Sequence, residues 1–167
     1  LFSGNPHLVT LSFKFVIFPT QQRPNKNIIT LIKAMNIIVH DFKKDIKLIL
    51  TTNINYDTFK VLHELNMQRH VLLLPRVPSK VLGALNCLAT CSVNTTFFEG
   101  GFPFTFTEAY SVGTPSVMSR IPMTEETVKD ENIRQKMLFD PYDYKDASKK
   151  ILWAIENRDE LLKIEQP

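Results

Sequence analysis

Residues 97–115 read FFEGGFPFTFTEAYSVGTP. Three of the chain's five glycines (Gly100, Gly101 and Gly113) fall in this stretch, with two acids, Glu99 and Glu108, and no other charge. The segment before it, ATCSVN at residues 89–94, is strand-like. The segment after the glycine pair is helix-like from about residue 106 to residue 112. Gly113 suits the end of that helix and Pro115 prevents its continuation. Strand, glycine turn and helix in that order belong to an open α/β sheet, which binds ligands beyond the carboxyl ends of its strands.

The flanks repeat the alternation. Upstream, FKFVIF (13–18), IKLILT (46–51) and VLLL (71–74) are short apolar, branched runs and predict buried strands. Between them, Ile28, Leu31, Ile32, Ala34, Met35 and Ile38 recur at helical spacing, with Asn27 placed as an N-cap. Residues 56–68 predict a second helix with Asp57 near its positive end, and residues 78–88 a third with Pro78 at its opening turn. Downstream, strands are expected at 116–119 and 136–139, and helices from 124, over 144–157 and over 159–164. Residues 1–11, with Gly4 and Pro6, read as a linker or loop, and residues 12–167 as one domain. The expected fold is a Rossmann-like, doubly wound parallel α/β sheet of about six strands.

Composition narrows the class. A length of 167 residues suffices for one α/β domain and is thin for two. A net charge of +3 without a concentrated basic run argues against nucleic acid as a partner. Cys87 and Cys91 lie four apart and look partly buried; without a second pair they imply neither a zinc site nor a disulfide framework, as in a reducing compartment. His7, His40, His63 and His70 are scattered and form no HExxH pattern. No apolar run is long enough to span a bilayer, and no signal peptide is visible. Beginning at Leu1, the chain is expected to be part of a longer protein.

The stretch at 97–115 carries the candidate chemistry. Gly100 and Gly101 would let backbone amides approach a ligand, or would simply make a tight turn. The following helix start offers N–H groups and a positive dipole to a phosphate or a sugar hydroxyl. Glu99 at the strand exit could accept from sugar hydroxyls, or be an exposed loop acid. Glu108 could accept from the two hydroxyls of a ribose, or close a capping box on Thr105.

The same stretch resembles the signature of the GT-B fold retaining glycosyltransferases, family GT4 (glycosyltransferases group 1). The matching residues are Glu99, Gly100–Gly101, Glu108–Ala109 and Gly113–Thr114–Pro115. Residues 19–27 resemble the family's basic loop, 71–89 its nucleotide-base strand, loop and helix, and 139–151 its Asp-Pro turn and closing helix. The resemblance implies one half of a GT-B fold, the nucleotide-sugar (donor) domain, with the N-terminal acceptor domain absent from this chain. It implies that Glu108 holds the donor ribose, that Glu99 lies by the donor sugar, and that Lys26 neutralises the diphosphate. Gly100, Gly101, Phe102, Phe104 and Thr105 would meet sugar and diphosphate, with Arg23 as a second cation and Arg76 in the base loop.

Two departures stand out. Eight residues separate Glu99 from Glu108 where the family has seven, and Arg23 lies closer to Lys26 than the family's arginine does to its lysine. No Asp-x-Asp occurs, which agrees with a metal-independent enzyme that needs no cofactor and takes a UDP- or GDP-sugar as substrate. The fragment alone is expected to be inactive. The full-length enzyme is expected to be cytoplasmic, in polysaccharide or surface-glycan assembly, with peripheral membrane association left open. The competing readings are a nucleotide-sugar epimerase of similar fold and a degenerate, non-catalytic binding domain.

Overall fold

The computed structural model describes residues 13–165, so the expected linker at 1–11 lies outside them. Six strands form one sheet: β1 Lys14–Phe18, β2 Ile46–Leu50, β3 Val71–Leu73, β4 Cys91–Asn94, β5 Ser116–Ser119 and β6 Leu138–Phe139. Their order is β3-β2-β1-β4-β5-β6, with every pairing parallel. Between and after them run α1 Ile28–Asn36, α2 Tyr56–Glu64, α3 Ser79–Leu88, α4 Phe104–Ser111, α5 Pro122–Thr127, α6 Glu131–Met137, α7 Tyr144–Glu156 and α8 Arg158–Ile164. This is the expected Rossmann-like parallel sheet.

The near-continuous apolar strands are explained by helices on both faces. Side chains alternate along a strand. Val16, Phe18, Leu48 and Leu50 join one core with Leu31 and Met35 of α1 and Ala147 and Ile151 of α7. Phe15, Ile17 and Ile49 point the other way, onto Ala89 and the partly buried Leu82 and Leu85. Each fully buried aliphatic or aromatic side chain contributes about 1.5–3 kcal/mol. The strands at the centre are thereby the most firmly held, and their carboxyl ends form a rigid base for the loops above them.

Several local expectations are corrected. Asn27 precedes α1 but does not cap it through its side chain. It sits in the left-handed region at φ 51°, which Asn tolerates, and its Nδ2 donates to Pro141 O at 2.7 Å. Beyond Asn36 the chain continues as a π-helical turn, Ile37–Asp41. The second helix stops at Glu64 because Asn66 turns to φ 54°. Residues 136 and 137, expected in the sixth strand, belong to α6, whose start is capped by Asp130 accepting from Asn132 N (2.8 Å) and Ile133 N (3.2 Å). Cys87 is exposed, whereas Cys91 is wholly buried. Among the described residues no helix is long and apolar enough to cross a membrane.

Candidate functional site

The strand order reverses direction between β1 and β4, and this switch point at the sheet's carboxyl edge is where open α/β sheets bind ligands. The loop after β1 comprises residues 19–27 and ends in a 3-10 turn, Pro24–Lys26. The loop after β4 comprises residues 95–103.

Hydrogen bonds stitch the two loops together. Phe97 N donates to Asn25 O at 2.8 Å, and Asn25 Nδ2 donates to Phe98 O at 3.2 Å. The Thr95 hydroxyl lies 3.0 Å from Lys26 O and 3.2 Å from Asn27 O, and the Thr96 hydroxyl 3.0 Å from Asn25 O. These contacts hold the backbones of Lys26 and the 97–99 segment side by side. The Lys26 ammonium and the Glu99 carboxylate form an ion pair, with 19% of each side chain exposed.

The helix α4 begins at Phe104, two residues earlier than expected. Thr105 therefore lies inside its first turn, where its hydroxyl accepts from Asn94 Nδ2 at 3.2 Å. The capping box is absent: Pro103 occupies the N-cap position, no side chain caps it, and Glu108 is exposed on the helix. Phe104 and Thr105 open the helix, so their N–H groups have no partner within it. Neither Gly100 nor Gly101, in the bend before α4, is left-handed, and a Cβ on either would meet nothing within 4 Å.

Three adjoining cavities make a trough along this edge. The first, about 270 Å³, is walled by Lys26, Asn94, Glu99, Gly101, Phe102, Pro103, Phe104 and Thr105. The second, about 400 Å³, shares Lys26, Asn94, Phe104 and Thr105 with the first and adds Arg23 and Glu108. The third, about 420 Å³, shares Thr20, Gln21, Thr51 and Leu82 with the second and ends at Arg76. Thus Glu99 and Arg76 mark the two ends, with Lys26, Arg23 and Glu108 between them. Gly100 is exposed outside the first cavity's wall. Phe102 is partly tied down, its ring meeting Phe106 edge-on at 5.2 Å, while Phe104 is 82% exposed. Arg76 holds φ 58° in the turn after β3.

Sequence reasoning missed Asn94, Thr20 and Thr51. Asn94 is buried at the end of β4 and lines two of the cavities. Thr20 N donates to Thr51 Oγ1 at 2.9 Å, fixing the loop floor where β1 and β2 end. The available signal was the polar run NTT that closes β4 and follows it, and the TT pair directly after β2.

The opposite edge of the sheet holds a further cavity of about 550 Å³ beside Lys14 and Thr90, and a partly buried acid at the start of β5. Glu165 accepts from Ser116 N at 2.9 Å, and burial pushes its carboxyl up to about 8, against the pull of that amide. Burial also raises the Cys91 thiol, with Glu165 adding to the effect. Among the described residues no group of three or more His, Cys, Asp or Glu side chains could hold a metal.

An all-parallel six-stranded sheet covered by helices, with a cation-bearing trough at its switch point, defines a Rossmann-like α/β domain. The chain belongs to the family described as Glycosyl transferases group 1, whose pattern matches residues 6–166. It adopts one half of the GT-B architecture, and the solved structures agree. The catalytic domain of cholesterol-alpha-glucosyltransferase from Helicobacter pylori superposes with a TM-score of 0.70 at 27% identity, over 90% of this chain and 91% of that one. A mutant of TarM from S. aureus, in complex with Fondaparinux, alpha-GlcNAc-glycerol and UDP, gives 0.73 at 21% identity, over 90% and 30%. The N-terminal domain of Candida albicans trehalose-6-phosphate phosphatase gives 0.74 at 15% identity, over 90% and 36%. The chain thus spans about a third of the latter two. No curated protein matches the sequence.

Proposed function

We propose that this chain is the donor-binding half of a retaining, metal-independent hexosyltransferase of the GT4 type, and that it takes a nucleoside diphosphate sugar along the trough. The observation that carries this reading is the trough's order of groups: Glu99, then Lys26 with the start of α4, then Arg23 and Glu108, then the turn at Arg76. In this pose the sugar lies by Glu99, the diphosphate by Lys26 and the α4 amides, the ribose by Glu108, and the base toward residues 75–77. Support also comes from the family match, and from two neighbours, one named a glucosyltransferase and one bound to UDP.

Transfer breaks the bond between the sugar carbon and the diphosphate oxygen, leaving negative charge on the departing nucleotide. Fixed cations and N–H groups placed at that oxygen lower the barrier. Lys26, Arg23 and the N–H groups of Phe104 and Thr105, which line one cavity, would do this, and the positive end of α4 would add to them. Glu99 would orient the sugar by accepting from its hydroxyls. These groups supply the neutralisation that a divalent cation provides in other transferases. The acceptor would come from a second domain across the trough, so the chain alone binds donor without turning it over.

Calorimetric titration of the 167-residue chain with UDP and GDP tests the reading. Binding of one of them at about millimolar affinity, weakened by Glu108→Ala and unchanged by EDTA, is expected. No heat from either nucleotide would sink the donor-site assignment. Turnover by the isolated chain would show that no second domain is needed.

A further inference from the structure

We infer that Glu99 is the resident counterion of Lys26, and that a diphosphate must displace it, so that the site discriminates a sugar-bearing nucleotide from the free nucleoside diphosphate. This deepens the donor-site reading and rests on it.

The backbone on the Lys26 side is held by the Thr95 hydroxyl and by Lys26 N donating to Arg23 O at 3.0 Å, so exchange of partners needs only side-chain motion there. On the other side, Glu99 itself walls the cavity of about 270 Å³, which gives its carboxylate room to swing. Lys26 and Glu99 wall the same cavity as the first residues of α4. Paired, they carry no net charge, so the ligand-free site spares Lys26 an uncompensated, mostly covered ammonium.

A diphosphate entering this cavity competes with Glu99 for Lys26 and forces the carboxylate off. The ligand then decides whether the carboxylate finds a new partner. With a sugar attached, the freed carboxylate accepts from sugar hydroxyls and its hydrogen bonds are restored. With the sugar gone, the carboxylate faces a diphosphate of like charge and has no donor. Glu99 therefore weakens the free nucleotide more than the donor, and recapture of Lys26 after transfer favours release of the spent nucleotide.

The test is calorimetry on the 167-residue chain with pyrophosphate, UDP and GDP, and with UDP-glucose and GDP-mannose as sugar-bearing probes. Four proteins are compared: the unaltered chain, Glu99→Gln, Lys26→Gln and the double variant. Glu99→Gln should bind pyrophosphate and the accepted nucleotide about two- to fivefold more tightly, the scale of one released ion pair. The affinity gap between sugar nucleotide and free nucleotide should narrow. In the Lys26→Gln background the Glu99 substitution should tighten pyrophosphate binding less than in the unaltered background, because only the like-charge repulsion is left to remove. If it tightens binding there equally, Glu99 acts only as a general negative charge and the exchange is wrong. Unchanged or weaker nucleotide binding by Glu99→Gln, while the unaltered chain binds, also overturns it. If none of the five probes binds any of the four proteins, the donor-site reading falls and takes this inference with it. Circular dichroism checks the fold; should Glu99→Gln not fold, Glu99→Ala, which removes the carboxylate altogether, withdraws the same partner and must show the same direction.

Discussion

Asn94 at the end of β4 donates through Nδ2 to Thr105 Oγ1 in the first turn of α4 at 3.2 Å, while its Oδ1 accepts from Thr96 N at 3.2 Å. One buried amide thus ties the strand, the loop and the helix together. It sets where the α4 amides stand relative to Lys26. Asn94→Ala leaves the Thr96 N–H and the Thr105 hydroxyl without their partner. The expected cost is about 1–3 kcal/mol, read from urea unfolding. A drop in nucleotide affinity should accompany it, because the helix start is released from the strand.

Gly113 follows α4 at φ 76°, and its N–H donates to Tyr110 O at 2.9 Å. A Cβ there meets nothing within 4 Å, so substitution costs backbone conformation alone. Gly113→Ala should destabilise the chain by about 1–2 kcal/mol, without altering nucleotide binding. An unchanged unfolding midpoint would contradict the left-handed assignment.

The two thiols should separate cleanly. Cys87 is exposed, and Cys91 is buried with its thiol held protonated by burial. Since the thiolate is the reactive form, a thiol reagent such as Ellman's should titrate one group in the native chain. The second should react only in denaturant. Two fast groups without denaturant would show that β4 is not packed as described.

Stability should fall as pH rises through the Glu165 window. Its carboxyl is raised from 4.5 to about 8, chiefly by burial. The folded chain therefore holds a proton that the unfolded chain has lost across that interval. By linkage the stabilisation is fully present below about pH 4.5 and is lost as pH rises to about 8. The loss is on the order of a few kcal/mol. Glu165→Gln keeps an acceptor for Ser116 N and removes the titration, so its urea midpoint should decline less over the same range. Parallel declines would refute the assignment.

Local pattern made most of the sheet legible. Val16, Ile17, Leu48 and Ile49 are apolar on consecutive positions because both faces of their strands are covered, and that shows in any window of the sequence. The helix α6 escaped notice because ENIRQKM is short and only Met137 among its residues is buried, so there was little apolar period to read. Asn94 escaped because a polar residue at a strand end reads as the start of a loop, and its partner lies eleven positions away in a helix.

At residues 97–115 the division is sharpest. The glycines, the two acids and the helix stop at Gly113 and Pro115 are local signals, set by backbone sterics and by a proline that cannot continue a helix. Together with the alternating apolar runs they were enough for the fold and the edge of the sheet that holds the site. The partners of the acids were not local. Thr105 had two possible bonds, one to Glu108 within the helix and one to Asn94 on the strand, and packing of α4 on β4 selected the second. Glu99 met Lys26, 73 positions distant, because β1 and β4 are neighbours and Thr95 and Thr96 bind the intervening loop. Contacts across such separations depend on which strands become adjacent, and only the folded sheet decides that.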